Sequence, residues 1–257
     1  MLSRNFRLQR AGDVRWLLKN YHFETVASCI DELIILDVSR KGYDRDKFLA
    51  TVSEVVEGCF IPVALGGGIR DFETAAAFVE SGADKIVVNS TFDIAPSVVR
   101  QIADVYGTQC VIGGMDLRRT STGSVEVLGQ QASVVIDQTP ADRVSRMLEA
   151  GAGEILVQSV DRDGTGFGLD LDLASIIGTR LSAPLILCGG CGKGSHILEA
   201  LARSDVDAVA TANLFNFIGD GLLKARSELL ANGLDLASWN AGDVKALYNS
   251  VVLKCAS

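Results

Sequence analysis

Residues 65–92 read LGGGIRDFETAAAFVESGADKIVVNSTF, and this stretch decides the fold. It aligns without a gap on residues 188–215, CGGCGKGSHILEALARSDVDAVATANLF. Both segments start at the end of an apolar strand, continue through two glycines and a helical pattern, and return through an aspartate to another strand. The identical pairs are Gly66/Gly189, Gly67/Gly190, Ala77/Ala200, Ser81/Ser204, Asp84/Asp207 and Phe92/Phe215. A repeated unit of this kind indicates two similar halves with equivalent chemistry in each.

The same alternation of short β-branched segments and helical patterns runs along the rest of the chain. We predict eight strands: Asn5–Arg10, Glu32–Val38, Ile61–Leu65, Lys85–Asn89, Cys110–Met115, Glu154–Val160, Pro184–Cys188 and Ala208–Thr211. Eight strands with helical crossovers predict an α/β fold, a single (βα)8 TIM barrel over residues 1–257, built from two similar half-barrels. Residues 24–31 leave too little chain for a complete crossover, which needs about 10 to 12 residues, so the first outer helix is predicted to be truncated.

Composition excludes several classes of function. The chain has 24 Lys and Arg against 32 Asp and Glu, a net charge of −8, which disfavours binding to nucleic acid. No apolar run reaches the roughly 18 residues of a membrane span, and the N-terminus lacks the pattern of a secretion signal, so we expect a cytoplasmic protein. With only two histidines and no metal-binding spacing, we expect no metal or other cofactor. The close pair Cys188 and Cys191 lies in a glycine loop rather than at a helix start, which disfavours a redox site.

Two glycine loops are candidates for phosphate binding. Gly66–Gly68 and Gly189–Gly190 follow the third and seventh predicted strands, where backbone N–H groups are able to approach an anion closely. Their partners at the next strand ends are Asn89–Ser90 and Ala212–Asn213, so a substrate with a phosphate at each end would fit. The alternative is that these glycines only permit tight turns.

Two carboxylates stand at predicted strand ends on the face where barrel enzymes place their active sites. Asp116 ends the fifth strand and is a candidate general acid or base; the alternative is a loop-capping aspartate. The loop Asp161–Gly166, which contains Asp163 and Gly164, is able to contact substrate hydroxyls or a phosphate, or to form a turn closed by its own backbone. Lys19 is the loop lysine available on the same face, and we count it with Asp116 as a catalytic candidate.

Three charged residues begin alternate strands at the opposite end of the predicted barrel. Glu32, Lys85 and Glu154 start strands two, four and six, and alternate strands of a barrel contribute to one interior layer. Two acids and a lysine in one layer form a ring that closes or gates the barrel axis. The alternative is that all three point to solvent.

Taken together, these motifs resemble the cyclase subunit of imidazole glycerol phosphate synthase, the HisF family, over nearly the whole chain. The segments that carry the resemblance are residues 31–37 (DELIILD), 66–74 (GGGIRDFET), 82–85 (GADK), 151–156 (GAGEIL) and 161–165 (DRDGT).

The resemblance implies a barrel that accepts ammonia from a HisH-like glutaminase subunit docked at its N-terminal face. The gate would comprise Glu32, Lys85 and Glu154, with the gate arginine of the family aligned on Asn5. The substrate would be a doubly phosphorylated ribulosyl formimino carboxamide nucleotide, which is cleaved and cyclised to imidazole glycerol phosphate. Asp116 matches the catalytic aspartate of the fifth strand, and the substrate and its phosphates would meet Gly67, Asn89, Ser90, Asp163, Gly164, Gly190 and Asn213.

One departure bears on function. The second catalytic aspartate of the family aligns with Ala11, and Asp13 is the nearest acid. HisF-like paralogues found with surface polysaccharide genes resemble this chain in that respect and in residues 36–40 (LDVSR); they work with a glutaminase and a sugar amidotransferase. We therefore predict a subunit that delivers ammonia for nucleotide-sugar amidation. The alternatives are a histidine-pathway cyclase and a non-catalytic barrel that binds a partner or a phosphorylated metabolite.

Overall fold

The computed structural model describes residues 2–9, 13–16, 29–39, 42–56, 61–178, 181–214 and 221–237. Within these ranges, the strands are β1 (Leu2–Arg4), β2 (Arg7–Gln9), β3 (Leu33–Leu36), β4 (Val63–Gly66), β5 (Lys85–Val88), β6 (Val111–Arg119), β7 (Val125–Gly129), β8 (Val134–Ile136), β9 (Glu154–Ser159), β10 (Leu185–Cys188) and β11 (Ala208–Ala210). The α-helices are α1 (Arg45–Val56), α2 (Phe72–Glu80), α3 (Thr91–Ile94), α4 (Pro96–Tyr106), α5 (Pro140–Glu149), α6 (Asp172–Ile177), α7 (Gly194–Leu201) and α8 (Gly221–Ala231).

A parallel sheet forms the frame of the molecule. Its strands pair in the order β11-β10-β9-β6-β5-β4-β3, so strands that follow one another along the chain through helical crossovers are also neighbours in space. This arrangement confirms the predicted α/β class with a TIM-barrel-like architecture. The hairpin β7–β8 is an insertion in that pattern, because β7 runs antiparallel to the extended end of β6.

The first predicted strand is confirmed only as β2, Arg7–Gln9, and its expected place in the parallel sheet is wrong. Residues 2–9 fold back as the hairpin β1–β2, with Arg4 paired to Arg7, and form a separate two-stranded sheet. The reversal occurs at Asn5 and Phe6, whose φ angles are 49° and 58°. Two consecutive positive φ angles produce the tight turn that joins antiparallel strands, so the segment pairs with itself. The predicted truncation of the first outer helix concerns residues that lie largely outside the described ranges.

Two helices, α2 and α5, begin with a side-chain cap. Thr139 accepts a hydrogen bond from the Asp142 N–H, and Pro140 is the first residue of α5. Asp71 caps α2 through the Thr74 N–H in the same way. These caps fix where α2 and α5 start.

Apolar side chains pack on both faces of the sheet. The larger core lies between the strands and the helices and includes Phe78, Ile86, Val111 and Met147, all fully buried. A smaller cluster covers the other face with residues from seven parallel strands: Ala64, Val87, Ile112 and Leu156, against which Ile34, Ile186, Cys188 and Ala210 pack. This second cluster is the interior layer of the barrel-like sheet. Among the described residues, no helix has the length and apolar character that a bilayer crossing requires.

One hydrogen bond repeats in both halves. The Asp84 carboxylate accepts the Val63 N–H at 2.8 Å, and the Asp207 carboxylate accepts the Leu185 N–H at 2.8 Å. In each half the aspartate ties the start of one strand to the start of the preceding parallel strand. The aspartates that align in the two sequence segments therefore have the same structural task.

Candidate active site

Strand alternation arranges the interior side chains in layers. Successive residues of a strand point to opposite faces, so Lys85 and Asn89 share the face of Val87, an interior residue of β5 and the segment that follows it. Asp116 shares the face of Ile112 on β6, and Gln158 shares the face of Leu156 on β9. A polar layer thus lies at each end of the strands, with an apolar layer between them.

The layer at the N-terminal ends of the strands is an ion-pair cluster. The Lys85 ammonium donates to Glu32 Oε2 and to Glu154 Oε1, both at 2.7 Å, and the three side chains are only 18–27% exposed. Burial opposes the charge on Lys85, but its hydrogen bonds to Glu154 and Glu32 prevail and raise its pKa. The other oxygen of Glu32, Oε1, is buried and has no hydrogen-bond partner among the described residues. The structure therefore brings together the three residues of the predicted ring.

Asn5, which the sequence alignment places at this ring, lies elsewhere. Its backbone N–H donates to the Asp163 carbonyl at 2.9 Å, in the loop that follows the C-terminal end of β9. Placing Asn5 with the charged ring is wrong, because the turn of the β1–β2 hairpin carries it to the opposite end of the strands.

The layer at the C-terminal ends is built around Asp116. This residue is 9% exposed, and its Oδ2 accepts a hydrogen bond of 3.0 Å from the Asn89 side-chain amide. Burial raises the pKa of Asp116 to about 6, and the negative charge of Asp163 adds to this rise. The hydrogen bond from Asn89 and the positive charge of Arg143 oppose it. A carboxyl group with this pKa exists in both protonation states near neutral pH, which suits proton transfer.

Asp163 faces the same space. Its carboxylate accepts hydrogen bonds from the Phe6 N–H at 3.0 Å and from the Gln158 amide at 3.3 Å. The side chain is 7% exposed and repels the ionised form of Asp116. Gln158 and Phe6 were not among the sequence-predicted residues; the alternation Glu154, Leu156, Gln158 along β9 was a usable signal for Gln158, whereas nothing local pointed to Phe6.

The glycine loops border this layer, but the neighbouring backbone already explains their glycines. A Cβ atom on Gly67, where φ is 96°, would lie 2.2 Å from the Asp37 carbonyl oxygen. A Cβ atom on Gly190, where φ is 93°, would lie 2.2 Å from the Gly168 carbonyl oxygen. Close backbone packing thus requires glycine at both positions, and the binding of phosphate there stays a prediction.

The remaining predicted phosphate contacts lie in the segments that follow two strands. Ser90 immediately precedes α3, and its carbonyl accepts the Asp93 N–H at 3.0 Å. Asn213, at the matching position of the second half, follows β11 and is partly buried. Gly164 has a φ of 69° in the loop after β9. Lys19 and Ala11 lie outside the described residues, whereas Asp13 accepts the Trp16 N–H at 2.8 Å and is exposed.

Two cysteines border the site. Burial raises the pKa of Cys188 to about 12, and Asp163 adds to the effect. Burial also raises the pKa of Cys191. Both thiols are therefore protonated at neutral pH, which makes them poor nucleophiles.

Comparison with known proteins places these features in a family. Residues 7–219 match the family model described as histidine biosynthesis protein. The chain is 43% identical, over 239 residues, to a protein of Parasynechococcus marenigrum that carries the provisional name imidazole glycerol phosphate synthase subunit hisF2. The alignment covers 93% of this chain and 88% of that relative.

Proposed function

Because the chain belongs to the histidine biosynthesis protein family and is HisF-like, we propose that it is the ammonia-using synthase subunit of a glutamine amidotransferase complex. A glutaminase subunit would dock at the N-terminal ends of the parallel strands. The acceptor of ammonia would bind at their C-terminal ends.

The arrangement of two polar layers on one interior face carries this proposal. Lys85 and Asn89 are four residues apart on one face, which corresponds to about 13 Å along a strand. The layer between them is apolar and includes small side chains, Ala64 and Ala210. An apolar layer disfavours the passage of a charged ammonium ion far more than that of neutral ammonia.

The ion-pair cluster of Lys85, Glu32 and Glu154 has properties that a gate for ammonia requires. Lys85 bonds to two carboxylates at once, so it is able to release one and keep the other, and no step leaves the ammonium without a partner. Partial exposure at the end of the strands gives it access to a docked partner.

At the other end, Asp116 would transfer a proton to or from the acceptor. Its pKa of about 6 provides both the acid and the base form near neutral pH. Phosphate or hydroxyl groups of a phosphorylated substrate would be held by Gly67, Asn89, Ser90, Asp163, Gly164, Gly190 and Asn213. Lys19 would act with Asp116.

The replacement of an acid by Ala11 favours a divergent acceptor. General acid or base catalysis contributes roughly 10² to 10⁴ in rate, so the loss of one proton-transfer group weighs against efficient cyclisation in the histidine pathway. We therefore propose delivery of ammonia for nucleotide-sugar amidation, with a sugar amidotransferase as a further partner. The histidine-pathway cyclase is the second candidate, favoured by the names of the family and of its relative.

A direct cyclase assay distinguishes the divergent role from the histidine-pathway cyclase. The purified protein is mixed with the bisphosphorylated family substrate and saturating ammonium at alkaline pH, and loss of substrate is followed for the wild type and for Asp116→Asn. Binding without turnover is the result expected for the divergent role. Turnover that Asp116→Asn abolishes would establish the histidine-pathway cyclase instead, and an absence of both binding and turnover would contradict the phosphate sites.

A second arm tests the glutaminase partner. The protein is mixed with a HisH-type glutaminase, and glutamine hydrolysis is measured with and without it. Stimulated hydrolysis supports the proposed complex. Hydrolysis that is unchanged, together with no detectable association, favours a non-catalytic binding barrel.

A further inference from the structure

A charged residue occupies a core position of helix α5. The buried face of this helix consists of Pro140, Arg143, Val144 and Met147, the spacing of a helix that packs against a sheet. Arg143 is only 2% exposed and is among the largest fully buried side chains. Arginine is rarely buried unless it is paired, so the Arg143 guanidinium needs a partner inside the protein.

The guanidinium of Arg143 binds the segment that follows β5. It forms a two-point ion pair with Asp93, in which Nη2 lies 2.9 Å from Oδ2 and Nη1 bonds to Oδ1. Nη2 also donates to the Asn89 carbonyl at 3.4 Å, and the guanidinium carbon lies 6.0 Å from the centre of the Phe92 ring. One side chain thus holds both ends of the segment Asn89–Asp93.

This segment carries the groups that face the candidate active site. The Asn89 amide donates to Asp116 at 3.0 Å, and Ser90 is a predicted phosphate contact. The Asn89 carbonyl, which Arg143 holds, belongs to the same residue as the amide that orients Asp116. The chain of contacts from Arg143 to Asp116 therefore passes through a single residue.

We propose that Arg143 is a positioning residue: its guanidinium fixes the segment Asn89–Asp93 so that the Asn89 amide holds Asp116 in place for proton transfer. The catalytic part of this inference rests on the proposed function, whereas the positioning part does not. A forked guanidinium suits the task because it binds Asp93 at two points and still reaches the Asn89 carbonyl. Loss of this geometry moves Asn89, and a displacement of about 1 Å at an active site costs up to roughly 10² in rate.

The test separates positioning from simple stability. A single change at Arg143 would leave Asp93 as an unpaired charge, so the main variant is Arg143→Met combined with Asp93→Asn, which removes both charges together. The titration of the Asp116 carboxyl carbon is followed by NMR, together with the side-chain amide signals of Asn89. We expect the pKa of Asp116 to rise above its wild-type value of about 6 and the Asn89 amide signals to shift.

Two further variants make the result specific. Arg143→Lys keeps the positive charge but loses the two-point geometry of the guanidinium. We expect altered Asn89 signals with a smaller change in the Asp116 titration. This variant also replaces the double variant in the test if the double variant does not fold. Arg146→Met, on the exposed face of the same helix, is the matched control. It is expected to leave the Asp116 titration and the Asn89 amide signals unchanged. A folded double variant with wild-type Asn89 signals would overturn the proposal, even where loss of the Arg143 charge moves the Asp116 titration.

The same variants also separate this inference from the proposed function. The NMR titration needs no substrate, so it decides the positioning role even if the wild type shows no turnover. Where turnover is present, we expect kcat of the double variant to fall roughly 10- to 100-fold and its pH profile to move with the Asp116 pKa. Loss of the Arg143 charge raises the Asp116 pKa by itself, so the Asn89 amide signals make the distinction. A purely structural role would lower the melting temperature and leave those signals in place.

Discussion

Asp116 combines a chemical advantage with a cost in stability. The carboxyl group is buried beside Asp163, and its pKa lies at about 6 instead of the ordinary 3.8. A group that binds a proton more tightly in the folded than in the unfolded state destabilises the fold once the pH exceeds the unfolded pKa. Enzymes accept such costs where a group must exchange protons near neutral pH.

Asp116→Asn is therefore expected to stabilise the protein in a pH-dependent manner. A shift from 3.8 to about 6, at 1.36 kcal/mol per pH unit, corresponds to about 3 kcal/mol. The increase in the free energy of unfolding should be absent below pH 4 and complete above pH 7. Between pH 4 and 6 it should grow with pH, because position 116 of the wild type ionises there only in the unfolded state. Urea unfolding of both proteins at pH 4 and pH 7.5 measures it, and an equal difference in free energy at the two pH values would contradict the prediction.

Lys85 offers a second prediction at this scale. Lys85→Met removes the ammonium between Glu32 and Glu154 and leaves two carboxylates facing each other, so a closed ring is no longer stable. In a complex with a glutaminase, we expect more glutamine to be hydrolysed per ammonia incorporated. The ratio is measured with glutamine and, as the internal reference, with free ammonium.

Lys47→Met, on the exposed surface of α1, is the matched control for this change. It is expected to keep the wild-type ratio. A Lys85→Met complex that remains as tightly coupled as this control would contradict a gating role.

At the scale of the elements, the strand-to-helix loops are shaped by their neighbours. Gly67 packs against the Asp37 backbone, whereas around Gly82, which follows α2 with a φ of 100°, no atom beyond its chain neighbours lies within 4 Å of the position of a Cβ. The two glycines thus share the requirement for positive φ and differ in the space around them. A comparison of alanine variants at the two sites therefore separates the cost of backbone strain from the cost of steric overlap.

Gly67→Ala is expected to be clearly more destabilising than Gly82→Ala. A left-handed conformation costs an alanine about 1–2 kcal/mol at either site, and the overlap at Gly67 adds to that cost because backbone atoms of Asp37 must move. Chemical denaturation of the two variants gives the comparison. Equal losses in the free energy of unfolding would show that the loop is able to relax around the added methyl group.

At the scale of the whole molecule, the internal repeat has a measurable consequence. Asp84 and Asp207 occupy matching places and each accept one strand N–H at 2.8 Å. Asp84→Ala and Asp207→Ala should each lower the free energy of unfolding by about 1 kcal/mol, the net value of a partly exposed hydrogen bond. Their effects should add within about 0.5 kcal/mol in the double variant, because the two sites share no partner. Thermal and urea unfolding of the three variants test this symmetry.

The sequence by itself determined the features that depend on local pattern. Alternation of strands and helices predicted the parallel sheet, and the repeat predicted that Asp84 and Asp207 are equivalent. The charged ring was also predictable, because Glu32, Lys85 and Glu154 each stand at the start of a strand, and in-phase parallel strands bring their starts together.

Only the tertiary structure decided the contacts between segments that are distant along the chain. The hairpin at residues 2–9 depends on positive φ angles at both Asn5 and Phe6. Asparagine is a common turn residue, but phenylalanine is not, so the pair does not signal a turn as an asparagine followed by glycine does. The binding of Phe6 to Asp163 and of Arg143 to the segment Asn89–Asp93 joins residues separated by 157 and about 50 positions. Periodicity reports which face of an element is buried, but it carries no information about which distant partner that face will meet; the packing of the assembled sheet and helices decides that.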